Sequence, residues 1–141
     1  MSKLFTGGCG CGALRYEVAG EPIMANDCQC RQCQRDSGTG HSSYLTFQGA
    51  EVTITGEAGS WDFVGDEGTV KSRAFCPTCG TPVYITFKAM PDVFVLRAGT
   101  LDDPGVYRPQ MVFWTETAQP WDLIEPALTR FDRMPPGFKA T

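Results

Sequence analysis

The sequence predicts a mainly β chain, folded as a single-domain β-sandwich of short antiparallel strands. Three observations carry that expectation. Short runs of the chain alternate apolar with polar residues, the two-residue period of a half-buried strand. Gly, Pro, Asp and Asn separate these runs at regular intervals, as in all-β domains. The length, 141 residues, suits one domain spanning 1–141 that buries roughly two-thirds of its unfolded surface. Neither an internal repeat nor a linker nor a low-complexity stretch divides it.

The first clear run is Ala13–Val18 (ALRYEV), with Leu14, Tyr16 and Val18 on one face and Arg15 and Glu17 on the other. Comparable runs follow at Ser43–Phe47, Glu51–Thr55, Ser60–Val64, Val70–Phe75, Val83–Phe87, Val93–Arg97 and Val106–Thr115. Gly65-Asp66-Glu67-Gly68 reads as a hairpin turn between the fourth and fifth runs. A short helix is expected only at Trp121–Arg130, where the internal Pro126 limits its length. Pro135-Pro136-Gly137 marks the end of the ordered chain.

Hydrophobic content of 42% and charged content of 20% are ordinary for a soluble globular domain. No stretch approaches the ~20 apolar residues of a membrane helix, so no membrane partner is expected. The opening MSKLFTGGCG holds no apolar run, and the expectation is a cytoplasmic chain without a secretory signal. Thiols kept reduced there point to metal binding rather than disulfides. An odd count of seven cysteines agrees, since seven cannot all pair. The formal net charge is −4. Seven thiolates on two divalent ions would bring it to about −7, which argues against a nucleic-acid partner.

The cysteines fall into three clusters: Cys9-x-Cys11, Cys28-x-Cys30-x-x-Cys33 and Cys76-x-x-Cys79. Such spacings let adjacent sulfurs converge on one ion from a tight turn, at the tetrahedral angles of Zn²⁺. Two pairs complete a four-cysteine cage; the triplet leaves one coordination position open. Cys76-Pro77-Thr78-Cys79-Gly80 reads as a zinc knuckle, in which the glycine permits a positive φ and turn N–H groups donate to the thiolates. Cys9-Gly10-Cys11-Gly12 is its expected partner, so a shared ion would staple the first strand to the middle of the sandwich. Buried unligated thiols, or a redox role for the C-x-x-C, are the alternatives.

The triplet admits several readings. Cys28, Cys30 and Cys33 could hold a catalytic zinc with an open position. His41, the only histidine, could close that cage, or lie beside it off the metal. The three thiols could instead be metal-free and reactive, their pKa values lowered by Arg31 and Arg35.

The order C-x-C, C-x-C-x-x-C, C-P-x-C-G resembles the glutathione-dependent formaldehyde-activating enzyme family, which includes the centromere protein V domain. Gly38-Thr39-Gly40 after the triplet, the strand around Ser72–Phe75, and Trp121 ahead of a Leu/Ile segment and Phe131 extend the likeness over the chain. The resemblance implies a β-sandwich with a structural zinc on Cys9, Cys11, Cys76 and Cys79. It implies a second zinc on Cys28, Cys30 and Cys33, with glutathione sulfur as incoming ligand and an aldehyde as second substrate. One departure is the stretch Arg108-Pro109-Gln110-Met111-Val112, where family members often carry a histidine.

The implied reaction is that of a carbon–sulfur lyase: glutathione thiolate adds to formaldehyde, giving S-hydroxymethylglutathione. His41 or Tyr44 would supply the proton the alkoxide needs. Arg31 and Arg35 would pair with the glutathione carboxylates, or else serve as solvated surface charges. The rival reading is a non-catalytic, zinc-stabilised module that binds a thiol or a protein.

Overall fold

The computed structural model describes residues 3–65 and 68–135. Within them are eleven strands: β1 (Leu4–Gly8), β2 (Arg15–Ala19), β3 (Met24–Cys28), β4 (Ser42–Gln48), β5 (Glu51–Thr55), β6 (Gly59–Val64), β7 (Val70–Phe75), β8 (Pro82–Phe87), β9 (Met90–Arg97), β10 (Met111–Phe113) and β11 (Thr129–Arg130). They form a three-stranded sheet, β1-β2-β5, and an eight-stranded sheet, β11-β10-β3-β4-β9-β8-β7-β6. Pairing is antiparallel except that β10 runs parallel to both β3 and β11. The mainly β reading therefore holds. No helix among the described residues is long and apolar enough to cross a membrane.

The small sheet covers one face of the large one. Leu14, Tyr16 and Val18, all but inaccessible, meet Leu45 and Phe47 of β4, Val83 of β8 and Phe94 and Leu96 of β9. Tyr16 finishes this core with its hydroxyl on Thr100 Oγ1 at 2.9 Å. Gly7 of β1 makes room for that ring: a Cβ there would lie 2.3 Å from the Tyr16 hydroxyl. Residues of β4 and β9 alternate between this core and a second cluster on the far face of the sheet, built from Met24, Tyr44, Ile85, Val93, Val95 and Phe113. In β8 the pairing shifts between Ala74 and Phe75, so that Val83 is an extra residue. That bulge lets Val83 and Tyr84 both reach the inter-sheet core while Ile85 faces the other way.

Two expectations are corrected. Val106–Thr115 is not one strand: Pro104–Val106 forms a 3₁₀ turn and only Met111–Phe113 pairs. Pro109 lies between them and has no N–H to give a ladder. Trp121–Arg130 is not a helix. Asp122 N–H closes a turn on Gln119 O at 3.0 Å, Leu128 N–H another on Glu125 O at 3.2 Å, and β11 follows. The one α-helix among the described residues is α1 (Arg31–Ser37), which begins within the cysteine triplet. Cys30 caps it by accepting from Cys33 N–H, and Gly38, at φ 75, ends it with an N–H on Gln34 O.

Strands β1 and β3 have no counterpart among the predicted runs. LFTGG lacks alternation, and MANDC is buried at every position, so neither carries a two-sided pattern. The middle of the Gly65–Gly68 turn and the end of Pro135-Pro136-Gly137 lie outside the described residues; Gly65 N–H does close on Thr69 O at 2.8 Å.

Phe47 is fully buried between the sheets and stacks edge-on with Phe5 at 5.3 Å. Phe47→Ala should lower unfolding stability by about 3–5 kcal/mol, the range for emptying an aromatic site in a core. Chemical denaturation measures it, and a loss below about 1 kcal/mol would mean the sheets do not pack through this ring.

Candidate metal centres

The four-cysteine group sits where two loops meet, residues 9–14 between β1 and β2 and residues 76–81 between β7 and β8. Its four sulfurs lie within 4.8 Å of one another. Cys9–Cys11 and Cys11–Cys76 sulfurs are each 3.7 Å apart. A tetrahedron with Zn–S bonds of about 2.3 Å has edges of about 3.8 Å, so the donor set fits such an ion. Backbone N–H groups already point at the sulfurs: Leu14 to Cys9 at 3.2 Å and Cys79 to Cys76 at 3.5 Å. Gly12 and Gly80 both take positive φ, 84° and 81°, where their loops turn. Thr81, unremarked in the sequence, bridges the loops: its Oγ1 accepts from Gly10 N–H at 3.1 Å and lies 3.2 Å from Cys79 Sγ. That hydroxyl leads the effects holding the Cys79 thiol down to about 5.

The three-cysteine group lies on the far face of the large sheet. Cys28 ends β3, Cys30 caps α1 and Cys33 sits in its first turn, and their sulfurs share one 4.8 Å cluster. Cys28 and Cys33 are buried. Hydrogen bonds from Cys28 and then Cys33 hold the Cys30 thiol down at about 3. The same bond from Cys28's side pushes Cys28 well above the ordinary thiol value. For Cys33 the bond with Cys28 acts downward, but Cys30 and burial outweigh it and carry the thiol to about 12. Three sulfurs this close thus share one negative charge unless a cation joins them. The donor chemistry fits a thiophilic divalent ion with one position left over.

Tyr44 holds this group from behind. Its hydroxyl lies 3.1 Å from Cys33 Sγ, and burial raises its pKa well above the ordinary value. Arg97, itself buried, donates to the Tyr44 hydroxyl and to Ser42 Oγ at 3.4 Å each, and Ser42 Oγ donates to Cys33 O at 2.8 Å. Arg97 also pairs with Asp36 at 3.0 Å, and Asp36 binds Arg73 as well. Asp36 and Arg97 carry no sequence signal, because they meet only when α1 lies across β9 and β7.

The triplet opens onto a cavity of about 380 Å³ over the second cluster. Trp114, the only non-glycine among the described residues at positive φ (60°), borders it. Such a backbone costs of order 1–3 kcal/mol, borne where a side chain must be aimed.

The other predicted site residues lie elsewhere. His41 does not join the triplet: its Nδ1 lies 3.0 Å from both Asp122 carboxylate oxygens and its Nε2 3.8 Å from Asp27. Strand alternation explains this, since Asp27 and Ser43 oppose each other on the sheet face away from Cys28 and Ser42. Arg31 and Arg35 are exposed on α1, and neither borders the cavity.

Comparison with known proteins adds an independent line. A family model described as glutathione-dependent formaldehyde-activating enzyme matches residues 4–117. A Halomonas elongata protein, provisionally named for the same activity, is 27% identical over 132 residues, covering 86% of this chain and 82% of its own. A crystal structure of a Rhodobacter sphaeroides protein superposes with a TM-score of 0.55 at 21% identity, over 89% of this chain and 98% of that one, a likeness of fold.

Asp36 is nearly inaccessible, and its side chain is the acidic partner of both Arg73 and Arg97. Asp36→Ala should destabilise the protein by about 3–5 kcal/mol, because it strands buried positive charge. Urea unfolding reads this directly; a cost under about 1 kcal/mol would place the arginines in solvent.

Proposed function

Because the chain belongs to the glutathione-dependent formaldehyde-activating enzyme family, we propose that it is a zinc-dependent carbon–sulfur lyase acting on thiol–aldehyde adducts. The family's own pair, glutathione and formaldehyde, is the first to test. One observation carries the reading: three cysteine sulfurs converge at the end of a cavity, with no fourth Cys, His, Asp or Glu joining them among the described residues. The four-cysteine group takes the structural role and the triplet the chemical one.

A zinc ion held by Cys28, Cys30 and Cys33 would supply a Lewis acid that lets an incoming thiol give up its proton near neutral pH. The reaction adds S–H across C=O: the sulfur–carbon bond forms, the carbonyl π pair moves to oxygen, and oxygen takes a proton. In the reverse direction that bond breaks and aldehyde and thiol separate. We assign the proton to the Tyr44 hydroxyl, whose oxygen accepts from Arg97 and which lies 3.1 Å from Cys33 Sγ at the triplet. His41 lies off the triplet and takes no part in this reading. Cys30 and Cys33 are spaced by the N-terminal turn of α1, which keeps the three sulfurs convergent before any ligand arrives.

Protein purified without chelator should carry two zinc ions per chain by elemental analysis. Cys76→Ser should lose soluble fold, because ligation of a structural zinc is folding energy. Cys30→Ser should stay folded and lose about one zinc. Equal damage from both would make the triplet structural as well.

Glutathione should bind through sulfur and change the thiolate charge-transfer bands of the Co²⁺-substituted protein, with release of a proton. S-methylglutathione, which cannot form a thiolate, should bind more weakly by about 1–3 kcal/mol. Equal affinities would mean the sulfur does not meet the metal. Adduct formation no faster than the spontaneous reaction would leave a thiol-binding protein without catalysis.

A further inference from the structure

The cavity beside the triplet is apolar to a degree that a peptide ligand does not explain. Its walls come from Met24 of β3, Ile85 and Phe87 of β8, Val93 and Val95 of β9, and Phe113 of β10. Side chains on four strands of one sheet face make this surface, as the burial of Met24, Ile85, Val93, Val95 and Phe113 requires. At about 380 Å³ it falls in the range, roughly 300–1,000 Å³, of sites that enclose a small organic molecule.

Charge tells the same story. Glutathione carries two carboxylates and one ammonium, and each needs a partner when taken from water. Among the described residues bordering the cavity, Lys71 is the sole cation and Asp36 the sole carboxylate. Asp36 already holds Arg73, Arg97 and the Gln32 amide. Arg31 and Arg35 stand on the exposed side of α1. The remaining polar groups at the cavity, Asn26, Tyr44, Thr46 and Gln48, are uncharged.

We infer that the molecule whose sulfur meets the three-cysteine group carries an apolar alkyl or aryl body, which lies against the Ile85–Val95 wall in place of a charged peptide. This rests on the reading of the triplet as a sulfur-binding site. The apolar body has two possible sources, the thiol or the carbon that the aldehyde brings to the same sulfur. Either way the bond made or cleaved is the sulfur–carbon bond at the triplet, and the body is the part recognised.

A pair of thioethers tests the cavity apart from the metal chemistry, because the sulfur of neither can form a thiolate. Calorimetry on the zinc-loaded protein should show benzyl methyl sulfide binding at least tenfold tighter than S-methylglutathione. Phe87→Ser, at the half-buried edge of the wall, should weaken the sulfide at least fivefold with zinc content unchanged. Equal or reversed affinities, or a sulfide insensitive to Phe87→Ser, would overturn the inference.

Two further arms locate the body. Benzyl mercaptan outcompeting glutathione for the Co²⁺ bands would place it on the thiol. Glutathione with benzaldehyde binding at least tenfold tighter than glutathione with formaldehyde would place it on the aldehyde carbon. If no thiol moves the Co²⁺ bands while the sulfide still binds tenfold tighter, the cavity's preference for an apolar body stands, and the sulfur-binding reading of the triplet falls together with the lyase reading.

Discussion

Burial of both faces of the central strands is the constraint on which the rest of this molecule depends. In β4, Leu45 and Phe47 go to the inter-sheet core while Tyr44 and Thr46 face the cavity; in β9, Phe94 and Leu96 go one way and Val93 and Val95 the other. The floor of the cavity is thus the back of the core, on the opposite face of the same sheet. Close packing on one side fixes the side chains on the other. A sandwich usually leaves its outer faces to water, but here α1 and the segment around β10 cover part of the large sheet. Phe113 and Phe131 meet edge to face at 5.9 Å where that cover closes.

The two cysteine groups are set into this frame in opposite ways. The first joins two loops at the periphery, with Cys11 and Cys79 exposed and backbone N–H groups and Thr81 arranged around the sulfurs. Loops so far apart in sequence are entropically costly to bring together, and a shared ion there would offset that cost. The second group is sunk behind the sheet, held through Tyr44, Arg97 and Asp36 to β4, β9 and α1. Crowded, buried thiols cannot all ionise alone, so this arrangement favours a cation, and a ligand that approaches through an apolar cavity.

What could be read from the residues follows from how local each signal is. β5 and β7 start and stop where alternation places them, because their apolar and polar residues alternate along the chain and so mark two faces in sequence. Both cysteine groups were equally legible, since spacings of one and two residues bring sulfurs together whatever surrounds them. β3 was hidden because MANDC is buried at every position and its aspartate is satisfied by partners distant in sequence: Asp27 accepts from Ser43 at 2.6 Å and from Tyr107 at 2.9 Å. α1 was hidden because seven residues show little periodicity and its cap is a cysteine. His41 is near the triplet in sequence but a strand reversal turns it toward Asp122. The cavity had no sequence signature at all, being assembled from strands that are neighbours only in the folded sheet.

The central claim is that the three-cysteine group keeps a coordination position for a ligand's sulfur. X-ray absorption at the zinc edge tests it most directly, because it counts sulfur neighbours. Seven cysteine sulfurs shared by two zinc ions would give an average of about 3.5 sulfurs per zinc, with Zn–S near 2.3 Å and the remainder lighter atoms. Adding a saturating thiol should raise the average to about 4 and remove the light-atom shell from one ion. A count that stays at about 3.5 in the presence of thiol, or that already stands at 4 without it, would contradict the claim.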